Sequence, residues 1–77
     1  MITHVGRKIH PLTLKRAYRI TDANLAELLE ISDRNVRFYT QGVRNPSAQT
    51  QLLCGLLHEK FQNEGRPCDH SAIRFEN

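Results

Sequence analysis

No apolar run in this 77-residue chain comes near the roughly 18 residues that crossing a bilayer requires, and the opening MITHVGRKIH lacks the apolar segment of a secretory signal. Both absences point to a cytoplasmic protein. Cysteine is scarce. Cys54 and Cys68 could close only one disulfide, and in a cytoplasmic setting both are expected to stay reduced thiols. No repeat, low-complexity tract or interdomain linker is visible, and strand signals are weak throughout. Also missing are a Ser/His/acid arrangement, a glycine-rich phosphate loop and a pair of carboxylates that could share a pocket. A chain of this length supports one modest core and no enclosed catalytic cleft of the usual kind, so neither an enzyme nor a bound cofactor is expected.

Acidic residues are absent from the first 21 positions, where Arg7, Lys8, Lys15, Arg16 and Arg19 carry a local charge of +5. Residues 22 to 33 reverse this with Asp22, Glu27, Glu30 and Asp33, and residues 34 to 44 return to +3 through Arg34, Arg37 and Arg44. Two basic blocks thus bracket an acidic segment. Such blocks are solvated faces unless folding brings them to one side, where they would form a surface for a polyanion.

Apolar spacing divides the chain into helices. Pro11 suits the first turn of a short helix, PLTLKRAY, bearing Leu12, Leu14 and Ala17. Thr21 is an N-cap for a second helix, with Ile20 and Leu25 paired as a hydrophobic staple and Leu25, Leu28 and Leu29 as its inner stripe. The same grammar recurs at Ser32, with Ile31 and Val36 as the staple, so a third helix starts a few residues after the second ends and must cross it steeply. That helix is expected from Asp33 to about Gln41, with Val36 and Tyr39 inward and Gly42 as a left-handed cap. Asn45 and Pro46 read as N-cap and first position of a fourth helix reaching about Asn63, whose Leu52, Leu53, Leu56, Leu57 and Phe61 would supply most of the remaining core. The division expected is a flexible basic arm over 1–10, a helical domain over 11–64 and a tail over 65–77 that is either frayed or used against a partner.

A helix, a tight turn, a second helix, then glycine and a basic loop together resemble the helix-turn-helix of the Xre/Cro/phage-repressor-like family. The resemblance covers roughly residues 12 to 61 and rests on Leu25-Ala26, Ser32, Val36, Tyr39, Gly42 and Arg44-Asn45-Pro46-Ser47. It implies an all-α, compact four- to five-helix lambda-repressor-like domain that binds double-stranded DNA as a transcriptional regulator. The turn position where that family favours glycine is Glu30 here. A left-handed conformation there would cost about 1 kcal/mol, so the turn is expected to depart slightly from the family's.

In that geometry Arg34, Arg37, Phe38 and Gln41 form one i, i+3, i+4, i+7 face of the recognition helix, directed at base edges in the major groove. Arg34 leads, because a guanidinium can bond O6 and N7 of one guanine; Arg37 follows, oriented by Asp33, and Phe38 could meet a thymine methyl. Phosphate contacts are expected from Arg44 and Asn45, from Thr21 at the start of the second helix, and from Arg7 and Lys8 if the arm follows the backbone. One such helix reads too few base pairs for specific affinity, so a homodimer on an inverted repeat is expected, with Leu57, Phe61, Ile73 and Phe75 at the interface. The octet SDRNVRFY also resembles the anti-CRISPR-associated repressors, a phage-borne branch, which implies repression of the protein's own operon with Arg34 important for operator binding.

Two other readings stay open. Cys54 and His58 at i, i+4, with Cys68 and His70, could complete a tetrahedral zinc site, although Cys54 lies among leucines and Cys-x-His spacing suits a structural site poorly. Alternatively the tail binds a protein partner, as in an antitoxin.

Overall fold

The computed structural model describes residues 7–76, which form four α-helices: α1 (Pro11–Tyr18), α2 (Asp22–Leu29), α3 (Asp33–Thr40) and α4 (Ala48–Asn63). A 3₁₀ turn, His70–Ala72, follows. Among the described residues there is no strand, only an isolated antiparallel bridge between Ile9 and Phe75, and no helix long and apolar enough to cross a membrane. The all-α expectation holds. Helix α1 is central and packs against the other three and the 3₁₀ turn, while α2 packs on α3 and α4.

The same local code starts each helix. Thr21, Ser32 and Ser47 each accept, through a side-chain oxygen, the backbone N–H three residues on, and His10 Nδ1 accepts that of Leu12, two residues on, at 3.0 Å. The staple residues Ile9 and Leu14, Ile20 and Leu25, and Val36 are all buried, and Ile31 packs at the core's edge. Each helix also ends alike. Backbone N–H bonds from Ile20 to Lys15, Ile31 to Ala26, Val43 to Phe38 and Arg66 to Phe61 are the long closing bonds of a Schellman motif. The left-handed residues in these four motifs are Arg19, Glu30, Gly42 and Gly65, at φ of 54°, 56°, 76° and 75°. Glu30 therefore takes the glycine conformation despite its Cβ, which corrects the expectation of a modified turn. Ile31, the next residue, closes the motif and packs against the core, which holds Glu30 in place.

Helix α4 departs from expectation in two respects. It starts at Ala48 with Ser47 as cap, because Pro46 is buried ahead of it and its carbonyl accepts the Gln51 side chain at 3.1 Å. Its inward residues are Cys54, Gly55 and Phe61, while Leu53 and Leu57 are half-buried and Leu56 is 55% exposed. The rotation has a cause at Gly55: a Cβ there would stand 1.8 Å from the Arg7 carbonyl oxygen. The chain before α1 crosses α4 at this point, with Ile9 fully buried and its N–H bonded to the Gln51 carbonyl at 3.0 Å.

Residues 7–10 are consequently part of the domain rather than an arm; residues 1–6 of the expected arm lie outside the described residues. The segment after α4 is likewise docked. Asp69 N–H bonds the Ala17 carbonyl at 2.8 Å, Glu76 N–H bonds the Lys8 carbonyl at 2.7 Å, and Cys68, Ala72 and Ile73 pack against the core. Phe61 is 2% exposed, so it has no surface to offer a second copy and leaves the expected dimer interface.

Gly55→Ala should lower stability by about 1–3 kcal/mol, because the methyl must push the N-terminal crossing away. At an exposed helical site the same change would stabilise by up to about 1 kcal/mol, so the sign of the shift in a denaturant melt checks the crossing. Glu30→Gly should raise stability by roughly 0.5 kcal/mol by removing the left-handed Cβ penalty against a freer unfolded chain, whereas Glu30→Ala should give no such gain.

Candidate functional site

Helix α3 has one buried residue, Val36, at 0% exposure. That single anchor, with the Ser32 cap and the Schellman closure at Gly42, fixes the helix while leaving Arg34, Arg37 and Gln41 exposed and Phe38 and Tyr39 half-buried. The four residues expected at base edges therefore share a side of α3 that folding does not consume. Tyr39 sits at the periphery rather than in the core.

Phe38 organises this face. The Arg34 guanidinium carbon lies 5.4 Å from its ring centroid and that of Arg44 lies 5.2 Å away. The Phe38 carbonyl also accepts the N–H groups of Val43 at 2.9 Å and Arg44 at 3.2 Å, so the loop after α3 is folded back onto the last turn. Arg34 and Arg44, ten residues apart, thus meet on one ring. Asp33 does not orient Arg37: no ion pair joins them, and the pair formed nearby is Lys15 with Asp22 at 2.7 Å. Asp33 instead occupies the first turn of α3, where a carboxylate favours the helix dipole. Arg34 is in that first turn too, where the dipole disfavours a cation.

Of the other candidates, Thr21 and Asn45 are exposed, and Thr21 Oγ1 caps α2 by accepting Asn24 N–H at 3.1 Å. Arg7 is held elsewhere, with its guanidinium 4.6 Å from the Phe75 ring beside α4, and the Lys8 backbone is tied to Glu76. These two belong to a second cluster. The Phe75 ring meets His58 edge-on at 6.0 Å, the Tyr18 hydroxyl hydrogen-bonds His58 Nδ1 at 2.7 Å, and Gln62 Nε2 donates to the Tyr18 oxygen at 2.9 Å. The cluster joins both chain ends to α1 and α4. Leu57 and Ile73 are half-buried against the core beside it, and Phe75 is 37% exposed.

Among the described residues no three His, Cys, Asp or Glu side chains come together to hold a metal ion, so Cys54, His58, Cys68 and His70 do not form a set. Cys54 is fully buried, which pushes its thiol up to about 12 and leaves it inert. No known family model, curated protein or solved structure matches the chain.

Sequence reasoning placed the α3 face but missed its internal stacking. The signal was available: Arg34 and Phe38 are i, i+4 neighbours, and a left-handed glycine at 42 turns residue 44 back toward the helix.

Burial lowers both His10 and His58 below their ordinary 6.5, opposed by Glu76 at His10 and reinforced by His70 at His58. The folded chain then binds fewer protons than the unfolded one, so stability is full above about pH 6.5 and falls as pH drops through the folded values. Thermal melts between about pH 7.5 and pH 5 should show this loss. His10→Asn, which keeps a cap acceptor but does not titrate, should reduce it.

Proposed function

We propose that this protein is a sequence-specific double-stranded DNA-binding regulator, acting as a repressor on an inverted-repeat operator as a homodimer. The observation that carries the reading is the outer face of α3, where Arg34, Arg37 and Gln41 stand exposed around Phe38 and Arg44 closes the far end. The pairing of α2 and α3 across three residues, with Glu30 left-handed and Val36 as the inward anchor, supports a helix-turn-helix of the lambda-repressor-like kind. Arg34 is offered to a guanine edge, Arg37 and Gln41 to neighbouring bases or phosphates, and Thr21, Arg44 and Asn45 to the backbone. Their chemistry is binding rather than catalysis. Arg7 and Lys8 drop out of the phosphate set in this reading, because the chain at 7–9 runs over α4 at Gly55 and Gln51, and α4 makes no contact with α3.

Two copies are needed for specific affinity, since one helix reads only a few base pairs. Among the described residues the exposed large apolar side chains are Val43, Leu56 and Phe75; Val43 lies in the loop beside the α3 face, which leaves Leu56 and Phe75, with half-buried Leu57 and Ile73, for a second copy. Repression follows from occupying a promoter and excluding polymerase. The rival reading, capture of a protein by residues 65–77, requires that segment to be available, and its bonds to Ala17 and Lys8 count against it.

Selection of sites from a random duplex pool at near-physiological salt tests the proposal. Wild type should enrich a palindrome with half-sites about one helical turn, roughly 34 Å, apart. Arg34→Ala should lose about 1–3 kcal/mol on that site and relax one position, while Arg44→Ala should weaken all sequences alike and reduce the salt slope by about 1. Weak, unselective, salt-sensitive binding by wild type would overturn the reading.

A further inference from the structure

We infer that Phe38 is a positioning residue that presets the guanidiniums of Arg34 and Arg44 for DNA, rather than a side chain that itself reads a base. This rests on the DNA-binding reading above. Three observations carry it. Both guanidiniums lie within cation–π range of the one ring, at 5.4 and 5.2 Å. Arg44 is attached to Phe38 a second time, through its N–H to the Phe38 carbonyl. The ring is half-buried yet contributes nothing to the core cluster, and among the described residues neither arginine has a carboxylate partner.

The chemistry follows from the shape of the guanidinium. A long arginine left to solvent loses much rotamer freedom when it docks, and a ring that already confines it reduces that loss. A guanidinium that meets a ring through its flat face keeps its N–H edge free, and that edge is what bonds a guanine or a phosphate in bidentate fashion. The two arginines serve different targets: Arg34, on the first turn of α3, faces base edges, and Arg44, in the loop, faces the backbone. Phe38 thereby couples sequence reading to backbone grip, and a change at the ring is felt by both.

The experiment is a mutant cycle on the duplex that wild type selects, run at lowered salt so that the weakest variant still binds. Phe38→Leu keeps an apolar side chain able to touch a thymine methyl but removes the ring, and it should weaken binding by about five- to twentyfold, a few-fold for each arginine contact at an exposed site. Phe38→Tyr and Phe38→Trp, which keep a π face, should stay within about twofold of wild type. In the Arg34→Ala/Arg44→Ala background the effect of Phe38→Leu should vanish, because nothing remains for the ring to position. A thermal melt of Phe38→Leu should stay close to wild type, which separates positioning from folding. In the free protein, upfield ring-current shifts of the Arg34 and Arg44 δ-protons should be present in wild type and lost in Phe38→Leu. A Phe38→Leu variant that binds like wild type, or one whose full loss persists without the two arginines, would overturn the inference while leaving the DNA reading intact. Failure of wild type to select any duplex would overturn both.

Discussion

Three of the four α-helices are only eight residues long, below the roughly 12–15 at which an isolated helix becomes even marginal in water. Their ends therefore decide whether they exist. Each starts on a side-chain acceptor and each closes through a left-handed residue, so the orphan N–H and C=O groups that make up much of so short a helix find partners. The staple residues do double service: Ile9, Ile20, Leu14, Leu25 and Val36 fix the entry angle of a helix and form much of the core. Capping and core formation are one event in this chain, which is how three short helices reach a single packing.

That economy also frees the surface. Helix α3 is specified by its cap, its staple, its closing glycine and one buried valine, all on one side or at its ends. Arg34, Arg37, Phe38 and Gln41 contribute nothing to that specification, and their identities are left to other demands. The acidic block of α2 lies in the neighbouring element, with Glu27 and Glu30 exposed. Two of the three arginines of the +3 block that follows, Arg34 and Arg44, meet on one aromatic ring. Charge alternation along the sequence thus becomes a division of labour between adjacent helices.

Most helix boundaries were legible because their signals are local. Thr21, Ser32, Pro11 and Gly42 each act within four residues, and all stand where the pattern puts them. In α4 the reading failed because a contact distant in sequence had intervened. Nothing near Leu56 says that it faces outward; that follows from the crossing of residues 7–9 over Gly55, and the lone glycine in a leucine-rich helix was the available sign. Ile9 stands before His10 and Leu14 in the same staple pattern as Ile20 and Ile31, but histidine is a rare cap and gives the pattern no visible start. Arg19 had no sign at all, since only its place after a full helical turn makes it left-handed. On the candidate site, the exposure of Arg34, Arg37 and Gln41 was readable from their helical spacing. The meeting of Arg44 with Arg34 was not, because it depends on a loop folding back.

The pairing of Lys8 with Glu76 and of Ile9 with Phe75 encloses nearly the whole chain. A contact of such sequence separation closes the longest loop among those described and so carries the largest loop-closure cost. The seam also holds Ile9 in the core, and parting it would uncover Ile9 together with Gly55 and His58 of α4. Because residues 8–9 and 75–76 lie side by side, a covalent link made between them would close this seam and turn the described domain into a continuous ring.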